Sequence, residues 1–173
     1  MNKITFILGG SRSGKSRLAV KLAKQKNQKV AFIATCQPLD EEMRQRIKAH
    51  QKNRPKNWKT FEEPINIAAQ IHKIGDTFDV ILIDCLTLWI SNLLLMKFHE
   101  AKIKNEIKKI LSALRKTRAN SIIVSNEVGL SIVPTNKLAR DFRDIAGTIN
   151  QIVAQKADYV TFMMAGIPME IKK

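Results

Sequence analysis

Only two of the 173 residues are cysteine, Cys36 and Cys85, which excludes a disulfide scaffold and a four-thiolate zinc site. No apolar run approaches the roughly 18 residues of a membrane span; the run 80–83 stops at Asp84. Aromatic residues make up 6% of the chain, and nothing groups them into a base-stacking platform. The opening MNKITFILGG has one Lys and a short apolar stretch, then runs directly into a motif the working protein needs. We therefore read no secretory leader there and expect a cytoplasmic protein. Acidic residues are the other shortage, 15 against 30 Lys and Arg, for a net charge of +15. Such a field draws polyanions, whether nucleic acid, acidic membrane or nucleoside triphosphate. A Lys-rich solvated surface explains it equally well. The cations are spread along the chain without a basic tail, so nucleic acid is not the expected partner.

The apolar share of 45% and charged share of 26% are those of a folded globular chain and exclude disorder, collagen and coiled coil. No linker, repeat or low-complexity segment divides it, so 1–173 reads as a single domain. Short buried-type runs at 4–8, 30–34, 80–84, 121–125 and 159–164 predict strands, with 169–171 as a last candidate. Amphipathic or apolar stretches at 14–26, from Asp40 to about 51, 64–73, 86–96, 100–117 and 136–155 predict helices. Strands of buried type alternating with helices give an α/β fold, a mostly parallel central sheet with helices on both faces.

The segment Gly9-Gly10-Ser11-Arg12-Ser13-Gly14-Lys15-Ser16 fits G-x-x-x-x-G-K-S between a predicted strand and a predicted helix, the setting a P-loop requires. Glycines let backbone N–H groups turn inward around phosphate oxygens, and the helix N-terminus adds its positive end. Lys15 neutralises the β and γ phosphates, and the Ser16 hydroxyl is a ligand for Mg²⁺. Asp84, closing the apolar strand 80–83, is the candidate for the second magnesium ligand.

A second segment, 43–55, sets His50 among Arg44, Arg46, Lys48, Lys52 and Arg54. Two readings are open. His50 can simply complete the helix face begun by Met43 and Ile47. Alternatively, the surrounding cations keep its imidazole neutral, so that it is a nucleophile toward phosphorus. The same cations would then steady departing pyrophosphate. His72 and His99 lack such surroundings and read as surface or helix-face residues.

Together the segments GGSRSGKS (9–16), IATCQPLDEEMRQRIKAHQKNRP (33–55), NWKTFEEP (57–64), ILIDCLTLWISNLL (81–94), SNEVGLSIVPTNKLARDFRDIAGTINQ (125–151) and AGIPMEIK (165–172) resemble the bifunctional adenosylcobinamide kinase / adenosylcobinamide-phosphate guanylyltransferase family of cobalamin biosynthesis. The likeness spans 6–172. It implies a RecA-like P-loop NTPase fold and a homotrimer. It implies ATP or GTP as phosphoryl donor, GTP as guanylyl donor, and adenosylcobinamide and its phosphate as acceptors. It makes His50 the guanylylated residue, Lys15 catalytic, and Gly9 through Ser16 the phosphate loop. It places Thr35, Cys36, Gln37, Gln51, Lys52, Asn53, Arg54, Glu62 and Asp84 around the nucleotide. Cys36 stands where a small hydroxyl residue would also serve. The polar residues Asn126, Glu127, Arg140, Arg143 and Asp144 read as a wall of the site, a subunit contact or structural ion pairs. Three other readings stay open: a small-molecule kinase without transferase activity, a nucleic-acid-dependent ATPase, and a non-catalytic nucleotide-binding protein.

Overall fold

The computed structural model describes residues 2–24, 28–38, 40–52 and 54–173, with the backbone alone at 42, 46, 49, 50 and 52. The elements run β1 (Ile4–Gly9), α1 (Lys15–Ala23), β2 (Val30–Ala34), α2 (Glu41–Lys52), β3 (Lys59–Glu62), α3 (Ile67–Ile74), β4 (Val80–Asp84), α4 (Leu86–Leu95), α5 (Glu100–Lys116), β5 (Asn120–Val124), α6 (Lys137–Lys156), β6 (Tyr159–Met164) and β7 (Ile167–Lys172). One sheet of seven strands has the order β3-β2-β4-β5-β1-β6-β7. Every pairing is parallel except β6 with β7.

The central strands are mainly apolar because both faces are covered. Alternate residues go to opposite sides. Ala31, Ile33, Ile81 and Ile83 join one core with α3, α4, α5 and α6. Val30, Phe32, Val80 and Leu82 join the other with Ala19 and Ala23 of α1. Helix starts follow the expected chemistry: the Asp40 carboxylate accepts the Met43 N–H at 2.7 Å, and Asn136 Oδ1 accepts the Ala139 N–H at 2.7 Å, each satisfying an orphan donor of a first turn.

The two edges depart from the sequence reading. β3 was not expected. It is a four-residue edge strand with Lys59 and Glu62 exposed and Thr60 and Phe61 half-buried, so its composition lacks the buried signature of its neighbours. β7 is longer than 169–171, antiparallel, and exposed along its whole length. It carries Pro168, which an edge tolerates. Lys172 ties it to the end of α6, donating to the carbonyls of Ala154, Gln155 and Ala157 at 3.2, 3.1 and 2.7 Å, a cation where unpaired helix carbonyls gather.

β1 lies between β5 and β6, whereas the chain after β1 leaves for β2, on the far side of β4 and β5. Open α/β sheets of this kind offer their binding crevice at the carboxyl ends of the strands, where such connections diverge.

Candidate active site

The loop leaving β1 is built around glycine where only glycine fits. Gly9 has φ 148°, and a Cβ there would collide with the Met163 carbonyl oxygen of β6. Gly14 has φ 97° and opens α1. The loop is closed by Ser13 N–H to Gly10 O at 3.3 Å and braced from the β6–β7 turn by Gly166 N–H to Ser13 O at 3.1 Å. Lys15 folds back across it, donating from Nζ to Gly10 O and reaching Ser13 Oγ at 3.5 Å. Only 7% of Lys15 is exposed. Burial lowers its pKa, and the carboxylate of Asp84 opposes that shift. Its charge is therefore poorly solvated by the loop itself and gains from a phosphate partner.

Asp84 ends β4 beside β5, two strands from β1. Ser11 through Ser16 line one cavity of about 550 Å³ together with Asp84, Cys36, Arg54 and Asn126, a volume suited to a nucleotide-sized ligand. A smaller recess of about 230 Å³ adjoins it, sharing Cys36, Ile47 and Arg54 and adding Lys48, Gln51 and Glu62. Arg54 stands at the junction, its guanidinium 3.8 Å from the centre of the Phe32 ring, which in turn stacks with Trp58 at 6.4 Å. Burial lowers the Arg54 pKa, against the attraction of Asp84, Glu62 and Cys36. The Cys85 thiol is different: burial, with Asp84 adjoining, pushes it up to about 12, so it packs as a neutral group and is not a nucleophile.

The residues expected around a nucleotide fall into three groups. The loop, Cys36, Arg54 and Asp84 meet at the main cavity, and Gln51 and Glu62 lie in the adjoining recess. Thr35 is wholly buried; its hydroxyl donates to Cys85 O at 2.8 Å and accepts the Cys85 N–H at 2.9 Å. It thus clamps β2 to β4 with its side chain turned away from the cavity. Gln37 is half-buried and lines neither space. The side chains of His50 and Lys52, and all of Asn53, lie outside the described residues. α2 itself borders the main cavity through Met43 and Ile47, and position 50 follows Ile47 by about one helical turn. His72 and His99 are exposed, on α3 and just before α5.

Ser16 and Asp84, which share the main cavity, supply a hydroxyl and a carboxylate oxygen, a hard donor pair that fits Mg²⁺ held partly by phosphates and water. Among the described residues no group of three or more His, Cys, Asp or Glu gathers as an all-protein metal cage.

Two polar residues inside the apolar run 86–96 were not anticipated. Thr87 Oγ1 accepts the Asn126 N–H at 2.7 Å and lies 3.3 Å from Ser125 Oγ. Asn92 donates to Thr35 O at 2.8 Å and Pro64 O at 3.1 Å, joining the ends of β2 and β3 to α4. Asn92→Ala leaves both carbonyls without that donor, and we expect a loss of about 2 kcal/mol in urea unfolding. Of the polar residues at 126–144, only Asn126 reaches the cavity. Arg140 donates to the carbonyls of Pro134 and Thr135 at 3.1 and 2.6 Å, and Arg143 pairs with Asp144 at 3.3 Å.

The sequence profile described as cobinamide kinase / cobinamide phosphate guanyltransferase matches residues 5–171. The chain is 43% identical over 167 residues to the bifunctional adenosylcobalamin biosynthesis protein CobP of Pseudomonas aeruginosa, covering 96% of each. It is 39% identical over 179 residues to the bifunctional adenosylcobalamin biosynthesis protein CobU of Escherichia coli K12, covering 96% of this chain and 98% of that protein. Among solved structures, the RadB recombinase superposes with a TM-score of 0.54 at 14% identity, over 92% of this chain and 73% of that one. The KaiC-like protein PH0186 of Pyrococcus horikoshii OT3 gives 0.52 at 14% identity, over 92% and 70%. These two structures share the RecA-like P-loop fold.

Proposed function

The chain belongs to the cobinamide kinase / cobinamide phosphate guanyltransferase family, and we propose that it performs both reactions around one continuous nucleotide cradle. The observation that carries this reading is the meeting of the P-loop, Asp84 and the flank of α2 in a single cavity.

In the kinase half, a nucleoside triphosphate gives its γ-phosphoryl group to the aminopropanol hydroxyl of adenosylcobinamide. The loop amides and Lys15 position the phosphates and neutralise their charge, which is most of what phosphoryl transfer needs. Ser16 and Asp84 would hold Mg²⁺, whose charge further neutralises the phosphate oxygens. In the transferase half, the His50 imidazole attacks the α-phosphorus of GTP and pyrophosphate leaves. The phosphate of adenosylcobinamide phosphate then displaces the imidazole, giving adenosylcobinamide-GDP. Arg54, at the junction of the two spaces, and Lys48, in the recess, would help neutralise the charge of the bound triphosphate. Two in-line displacements retain configuration at phosphorus and give ping-pong kinetics. We read the assembly as a homotrimer, consistent with the exposed apolar side chains of Ile167, Met169 and Ile171 on β7.

The test is to supply the purified chain with adenosylcobinamide, GTP and Mg²⁺ and to follow products by mass spectrometry. Adenosylcobinamide phosphate should accumulate first and adenosylcobinamide-GDP after it. A chain that forms the first product and never the second is a kinase alone, contrary to this reading.

A further inference from the structure

Asn126 is fixed more firmly than a loop residue at the end of a strand needs to be. Its N–H donates to Thr87 Oγ1 at 2.7 Å, and its carbonyl accepts from Asn150 Nδ2 at 3.1 Å. Both partners are buried. On either side, Ser125 N–H donates to Ile7 O and Glu127 N–H to Gly9 O, each at 3.0 Å. All of these bonds use the backbone of 125–127, which leaves the Asn126 side chain free of any fold-holding duty among the described residues.

The position is informative. β5 lies between β1 and β4, with Ile7 level with Val124 and Val124 level with Asp84. Two residues further on, Asn126 stands between the first glycine of the phosphate loop and the strand that ends in Asp84, and it lines the cavity with Lys15 and Asp84. Cys36 and Arg54, which open toward the recess beside α2, belong to the β2 side, with β4 intervening. Asp84 and Asn126 thus follow adjoining strands and line the cavity beside the phosphate loop, whereas Lys48, Gln51 and Glu62 line the recess beside α2.

We propose that Asn126 is a catalytic residue of the phosphoryl-transfer step alone, its side-chain amide donating to an oxygen of the γ-phosphoryl group in flight. This rests on the kinase reading above. The acceptor hydroxyl oxygen forms the new bond to the γ-phosphorus, the bond from that phosphorus to the β–γ bridging oxygen breaks, the nucleoside diphosphate leaves with that electron pair, and the hydroxyl proton passes to solvent. A neutral amide suits the place: it donates to oxygens that carry the charge without adding a repelling charge of its own. The clamped backbone holds it ready without reorganisation.

The experiment measures both half-reactions in Asn126→Ala and Asn126→Asp, with thermal unfolding as a third readout. For the Ala variant we expect kcat for cobinamide phosphorylation to fall about 100-fold or more, with the nucleotide KM little changed. The Asp variant, which removes the donor and adds a negative charge, should fall further. Guanylylation of the protein by GTP, and the melting temperature, should stay close to wild type in the Ala variant. Retained phosphorylation would overturn the proposal. So would equal loss of both half-reactions, or loss of the fold, since either makes the side chain a general or structural requirement. A wild-type chain that does not phosphorylate cobinamide would instead fault the kinase reading, which the wild-type arm detects independently.

Discussion

Lys15→Ala should lower kcat/KM for cobinamide phosphorylation about 1,000-fold or more while leaving the fold intact. The Lys15 ammonium is nearly sequestered, 7% exposed, and bonded to Gly10 O and Ser13 Oγ. Burial works against its charge, so removing it relieves a desolvation cost as it removes two hydrogen bonds. The net change in stability is expected within about 1 kcal/mol, read by thermal unfolding. Activity has no such compensation, because the β and γ phosphates lose the buried cation of their own loop. Lys15→Arg should not rescue. A planar guanidinium is larger than the ammonium and presents a fixed fork, whereas the Lys15 ammonium is folded tightly against Gly10 O and Ser13 Oγ.

His50→Ala should have the opposite profile. Guanylyl transfer and the covalent protein–nucleotide species should both disappear, since the nucleophile itself is gone. Phosphorylation of cobinamide should stay within about threefold of wild type, because the group removed acts only on the α-phosphorus. His50→Asn should behave the same way, as an amide has the shape and none of the nucleophilicity. Separate assays of the two half-reactions, run on the same preparations as the Lys15 variants, give the contrast. Together with Asn126→Ala, the three substitutions divide the cavity into a shared cradle, a phosphoryl end and a guanylyl end.

Much of this was legible in the chain because its physical demands are local. The phosphate loop needs glycine at positions 9 and 14 for reasons a sequence motif already encodes, and the structure supplies the particular obstacles, the Met163 carbonyl and a left-handed turn. Asp84 was legible as the acid that ends an apolar strand. Thr87 and Asn92 were not, since each sits in an apolar run and its partners are distant in sequence: Asn126 for Thr87, Thr35 and Pro64 for Asn92. The resemblance puts Thr35 among the residues around the nucleotide, and in the structure its hydroxyl serves the Cys85 backbone. A turn motif fixes where the chain goes and leaves open which way one side chain points. Arg54 was legible as one cation among several, but its seat over Phe32 depends on β2 passing beneath it. β3 is not legible in the sequence because an exposed edge strand lacks the apolar continuity that marks its neighbours.

On this reading one chain carries both a phosphate loop for phosphoryl transfer and a histidine that takes up a guanylyl group. The decisive assay is incubation of the intact protein with GTP labelled at the α-phosphorus, followed by peptide mapping. A label that is acid-labile, stable to base and confined to His50 is the predicted result. A protein that turns over GTP with cobinamide phosphate and yet carries no label at His50, or carries it on another residue, would contradict the claim.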